Sequence, residues 1–97
     1  MQRTEAQSLG DLLRQAIEEN QSAFRFDEIN AIKAWPVVIG QAIAAKTLRP
    51  FIKNGVMTIR VPAAPLRHEL NMMRSQLARA INAAINKEVV KDLRFLG

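Results

Sequence analysis

Apolar residues recur along the first part of the chain at steps of three and four. Leu9, Leu12, Leu13, Ala16 and Ile17 follow this spacing, which marks one face of an α-helix. Ser8-Leu9-Gly10-Asp11 has capping-box spacing, with Asp in place of the usual Glu. A first helix is therefore expected over about residues 8–22, with residues 1–7 as a loose lead-in. Phe24 and Phe26 read as staples into a core. The pattern resumes after Asp27, a good cap, with Ile29, Ile32, Trp35, Val38, Ile39, Ala42 and Ile43 on one face. Proline inside a helix costs about 3 kcal/mol. So this second helix either kinks at Pro36 or ends near Ala34 and restarts with Pro36 in its first turn. Gly40 reads as a close backbone contact. Trp35 reads as a core anchor, with base stacking as the alternative.

The period then shortens to two. In LRPFIKNGVMTIRV, Asn54-Gly55 between two apolar-rich runs is a strong hairpin signal. Strands are expected over about 48–53 and 56–61, and Pro50 confines the first to a sheet edge. Pro62 and Pro65 precede a long helix over roughly 65–86, striped by Leu66, Leu70, Met73, Leu77, Ala80, Ile81 and Ala84. Val89 to Leu96 reads as a third strand. The order is α-α-β-β-α-β. It predicts a two-layer α+β fold, a three-stranded sheet with helices on one face, in a single domain spanning 1–97.

Composition adds a charge asymmetry. Fourteen Lys and Arg face nine acids, for a formal charge of +5, and nine of the fourteen are Arg. Arg suits phosphate because its planar fork donates bidentately. From Ala31 to Arg79 there are nine basic residues, counting His68, and one acid, Glu69. A polyanion partner is one reading, and a basic but idle surface is the other. The chain has no cysteine, which excludes disulfides and Cys-based zinc sites. It shows neither a signal peptide nor a long apolar run, so a cytoplasmic protein without membrane contact is expected.

Catalytic signals fail on inspection. Gly40 to Thr47, GQAIAAKT, is one residue from a phosphate-binding P-loop, with Ala45 where the second glycine belongs. A P-loop needs a helix beginning at its Lys, yet Pro50 follows Thr47 by three residues and the chain there looks extended. His68-Glu69 starts like H-E-x-x-H, but position 72 is Met. Ser8, Ser22 and Ser75 have no nearby base, and Asp27-Glu28 suits a helix start. No catalytic, metal or cofactor site and no small-molecule substrate is expected.

Strand alternation assigns faces. Leu48, Ile52, Met57, Ile59, Val61, Leu93 and Phe95 can share the helix-covered face. The other face then carries Arg49, Phe51, Lys53, Val56, Thr58, Arg60, Asp92 and Arg94. Cations beside an exposed ring resemble a surface that tracks a nucleic-acid backbone and stacks a base. Arg67 and Arg74, seven apart on one edge of the long helix, would extend it, while Arg79 lies on the back. The alternative is a solvated face whose cations guard edge strands. Neither a DNA-reading helix motif nor an RNP-type aromatic box is present. Binding should therefore be mainly to phosphates and weakly sequence-selective.

Several landmarks together resemble the DciA-like family of bacterial proteins. They are SLGDLLRQAI, AWPVVIGQAIAAKT, FIKNGVMTIRV, LRHELNMMRSQL and INKEVVKDLRF. Within them stand Trp35, Gly40, Thr47, Asn54-Gly55, Leu66-Arg67-His68-Glu69-Leu70, Met72-Met73-Arg74 and Asn82, over about residues 9–95. The resemblance implies a K-homology-like fold, DNA binding and assistance to the replicative helicase. The K-homology GxxG loop is missing, because Gly55 has no partner glycine, so that loop's backbone clamp is not carried over. Longer relatives carry a flexible tail linked to helicase contact and DNA affinity; the sequence runs to Gly97 without one. The expected partners are thus nucleic acid (single-stranded or duplex DNA, or RNA) and, from the resemblance, the replicative helicase. An RNA-binding module and a protein-interaction adaptor are the alternatives.

Overall fold

The computed structural model describes residues 8–97, so the expected lead-in over 1–7 lies outside the described residues. The Ser8 hydroxyl accepts from the Asp11 N–H at 3.2 Å, and the Asp11 carboxylate accepts from the Ser8 N–H at 3.4 Å. This reciprocal cap starts α1, which runs unbroken from Leu9 to Ile39. The two helices expected from the pattern are thus one. Asp27 is no cap; it sits mid-helix and pairs with Lys87 at 3.0 Å. Pro36 neither splits nor ends the helix. The stop comes at Gly40, whose N–H donates to the Pro36 carbonyl at 3.0 Å.

Gly40 has φ 90° and ψ 149°, and a Cβ there would meet nothing within 4 Å. The glycine is needed for its backbone angles, not for the close approach expected from sequence. Gly40→Ala should therefore lower stability by about 1–3 kcal/mol through backbone strain alone. A denaturant melt reads this, with a shifted midpoint and unchanged slope.

A short α2, Gln41–Ala44, turns the chain toward the sheet. The sheet is built from β1 (Phe51–Lys53), β2 (Val56–Arg60) and β3 (Asp92–Leu96) in the order β1-β2-β3. β1 and β2 form an antiparallel hairpin, closed by Asn54 at φ 54° and Gly55 at φ 80°. Positive φ at both central residues matches the right-handed twist of the flanking strands. β3 pairs with β2 in parallel, so the chain must cross over between them. The crossover is helical, in two pieces rather than the single long helix expected. α3 spans Ala64–Met72 and α4 spans Arg74–Ile85, with a break at Met73 (φ −100°, ψ 6°).

The helices cover one face of the sheet, giving the expected α+β layers. Ala31, Ala34 and Trp35 of α1 meet Leu70 of α3 and Leu77, Ala78 and Ile81 of α4 over Met57, Ile59, Val61 and Leu93. Leu48, assigned to this face from sequence, is instead exposed, because its place precedes the strand proper. Phe24 and Phe26 are also corrected: they are 50% and 63% exposed. They sit on the half of α1 that projects beyond the core in a molecule 65 Å long.

β3 is shorter at its start than expected, because Val89 and Val90 belong to a buried loop. Asn82 holds that loop. Its side-chain amide donates to the Val90 carbonyl at 2.8 Å, and its carbonyl accepts from the Val89 and Val90 N–H groups at 3.1 and 2.9 Å. Asn82→Ala would leave three backbone groups unpaired. It should cost about 2–3 kcal/mol, from roughly 1 kcal/mol for each lost bond. Thermal unfolding with hydrogen exchange at Val89 and Val90 measures it, and exchange should quicken there first.

Candidate nucleic-acid interface

The strand registers put the predicted residues in transverse rows. Phe51 pairs with Thr58, and Thr58 with Arg94, across all three strands. The next row is Lys53, Val56 and Asp92, and Arg60 stands beside Leu96 at the far end. Strands lie about 4.8 Å apart, so Phe51 and Arg94 flank Thr58 roughly 10 Å from one another. Neighbouring residues along β2 have side chains on opposite faces, and Met57 and Ile59 point into the core. The rows containing Phe51, Lys53, Arg60 and Arg94 therefore face away from the helices. Phe51 is 57% exposed, and the three cations are exposed as well. Thr58 is only 8% exposed at the centre of this same face, so the surface is closely packed in the middle and charged around it.

The remaining predicted residues sit differently. Arg49 precedes β1, where Leu48 donates to the Arg60 carbonyl at 2.9 Å. It lines an edge cleft of about 270 Å³ with Ile32, Lys33, Pro36 and Thr47. Arg49 thus flanks the open face, and Lys33, which sequence reasoning left unassigned, stands with it. The chain folds this way locally because Trp35 donates its indole N–H to the Thr47 hydroxyl at 3.1 Å, and that hydroxyl donates to the Ala44 carbonyl at 2.8 Å. The same bonds account for Thr47 of the near-P-loop. α2 precedes Lys46, no helix begins at it, and Thr47 is occupied in holding the core indole.

Arg67 and Arg74 stand on two successive helices, on either side of the break at Met73. Arg67 donates to the Val61 carbonyl at 2.9 Å, and its guanidinium crowds Gly97. Arg74 lies 3.6 Å from the Asp92 carboxylate, an exposed pair worth at most about 1 kcal/mol. Arg60 donates to the Gly97 carbonyl at 2.8 Å and keeps the rest of its fork exposed. The structure therefore gathers Phe51, Lys53, Arg60 and Arg94 on one face, sets Arg49 at its edge, and engages Arg67 and Arg74 internally. Arg79 is exposed on the helical side, where it lines a cleft with Asn82, Asn86 and Lys87. Among the described residues there is no group of three or more His, Cys, Asp or Glu that could hold a metal ion. No helix among them is long and apolar enough to cross a membrane.

Comparison with known proteins gives the same assignment as the landmarks. A UPF0232 protein of Rhodococcus jostii is 30% identical over 73 residues, covering 75% of this chain and 39% of that protein. A UPF0232 protein of Mycobacterium tuberculosis is 26% identical over 91 residues, covering 94% of this chain and 49% of the relative. A third, from Mycolicibacterium paratuberculosis, is 28% identical over 91 residues. The chain thus spans half or less of the length of these relatives. The family model described as "Dna[CI] antecedent, DciA" matches residues 8–95. Matched over nearly its whole length, the chain belongs to the DciA family.

Proposed function

We propose that this chain is a non-enzymatic nucleic-acid-binding accessory protein of DNA replication that assists the replicative helicase. The open sheet face is its contact surface. The observation that carries the reading is the exposed Phe51 ring set among Lys53, Arg60 and Arg94 on a face that no helix among the described residues covers. A ring at that position can stack a base, and the cations around it can meet successive phosphates. The helicase role rests on family membership. The relatives' additional length leaves room for further helicase contacts outside the matched region.

The test is a competition among single-stranded DNA, duplex DNA and RNA of one sequence, followed across a salt series. Phosphate contacts release counterions, so affinity should fall steeply with salt. About four phosphates engaged on a single strand correspond to a log–log slope near −3, from roughly −0.7 per contact. DNA should compete better than RNA, and the helicase of the same cell should be retained on the immobilised chain. An absence of binding to any of the three at low salt would reject the nucleic-acid reading in favour of a protein adaptor.

A further inference from the structure

The projecting half of α1 carries an apolar stripe that nothing among the described residues covers. Leu13, Ile17, Asn20 and Phe24 follow steps of four and three, and the same steps continue to Asp27, Ala31 and Ala34. The bare stripe is therefore the direct extension of the stripe buried in the core. Leu9 and Leu12 widen it at the N-terminal end, and Leu9 is 74% exposed. An amphipathic helix of this length with no packing partner is marginal in water, since most helical stability comes from tertiary burial. The stripe calls for a cover.

The position of α4 defines that cover. Its last turn, Ala84 and Ile85, lines a cleft with Asn30 and Ala34 of α1, and Lys87 just beyond it pairs with Asp27. Its earlier residues Leu77 and Ile81 lie in the core with Trp35. So α4 descends along α1 toward Asp27 and stops there, where the bare stripe begins. The missing element is a helix running in the same direction as α4, from Asp27 toward Leu9.

We propose that a second copy of this chain supplies it, through antiparallel pairing of the two α1 N-terminal halves about a two-fold axis. In this register Leu13 of one copy opposes Phe24 of the other, and Ile17 opposes Asn20, each twice. Ala16 and Ala23 meet beside the seam and permit close approach. The polar Asn20 within an apolar seam fixes register at some cost in affinity. The charges nearest the stripe centre are few: Asp11, Glu18 and Arg25 project from the opposite side of α1. The N-terminus of each α1 comes to the C-terminal end of the other copy's α4, a favourable alignment of helix dipoles. A parallel pairing would force the two folded bodies into the same end. Half-exposed large side chains contribute roughly 100 Å² each, so about five per copy bury ~1,000 Å² in the pair, near the lower bound for a specific interface.

The experiment is sedimentation equilibrium of the full chain over a concentration series, repeated with Ile17→Asp. The wild type should associate to a dimer reversibly. Ile17→Asp should weaken association by roughly 100-fold or more, because it places a charge at a buried seam position. Ile17 is outside the core, so Trp35 fluorescence should be unchanged. The chain has no cysteine, so Leu13→Cys and Phe24→Cys variants report the register. Mixed and oxidised, they should link one to the other, and each alone should link far less. A single-chain mass at every concentration overturns the proposal, as does a dimer indifferent to Ile17→Asp. Preferential linking of Leu13→Cys to itself overturns the antiparallel register.

Discussion

Trp35→Ala is expected to destabilise the chain by about 3–5 kcal/mol, the range for removing a fully buried large aromatic. For a domain of this size that is a large share of the total, since net stabilities are about 5–15 kcal/mol. The ring is 2% exposed and sits on the core-facing side of α1. It lies 6.1 Å from the Phe95 ring at a tilted angle of 45°, a separation within the range where aromatic pairs attract. Its indole N–H meets the Thr47 hydroxyl, which ties the turn after α2 to the helix before it. Removal of the ring therefore opens a cavity at the junction of α1, the sheet and the lead-in to β1. Trp35→Phe separates the two contributions: it keeps most of the volume and loses the hydrogen bond, so a smaller loss of about 1–2 kcal/mol is expected. Scanning calorimetry measures both. A midpoint unchanged in Trp35→Ala, with nucleic-acid affinity reduced, would move this ring to the binding surface.

Which features the sequence makes legible follows from how local their causes are. Asn54-Gly55 specifies its turn by its own backbone preferences, and Ser8 with Asp11 closes its cap within four residues, so both read correctly. Trp35 reads correctly because it shares a helical face with other apolar residues that find the core. Phe24 and Phe26 fail for the converse reason. A helical wheel shows that a face is apolar and is silent on what covers it, and here α4 ends before reaching them. The helix break at Met73 has no Gly or Pro to announce it. It divides the long helix expected from the wheel and sets Arg67 and Arg74 on successive helices. Arg67 is further hidden because its partners are the backbone carbonyls of Val61 and Pro62, which sequence does not show. The open face, by contrast, follows from the two-residue alternation of strands, so Phe51, Lys53, Arg60 and Arg94 fall where the pattern puts them. Arg49 slips to the edge because regular pairing begins only at Phe51.

The combined variant Lys53→Ala/Arg60→Ala/Arg94→Ala should lose most of the affinity for single-stranded DNA. Hydrogen bonds to charged groups contribute about 1.5 kcal/mol each at the low end of their range, so three together amount to about 4.5 kcal/mol, or roughly two-thousandfold in Kd. The salt dependence should flatten in step, from a slope near −3 to about −1, because three counterion-releasing contacts are gone. All sequences should weaken alike, since phosphates carry no base identity. The fold should survive: these side chains are exposed, and among the described residues only Arg60 of the three donates a hydrogen bond, to the Gly97 carbonyl. Phe51→Ala acts through a different term. It should cost about 1–3 kcal/mol on single strands and much less on duplex, with the salt slope unchanged, because stacking releases no counterions. Arg79→Ala removes the same charge from the helical side and is the control; it should change little. If Arg79→Ala abolishes binding while the triple variant binds like wild type, the nucleic acid lies along the helices and the open sheet face is only a solvated surface.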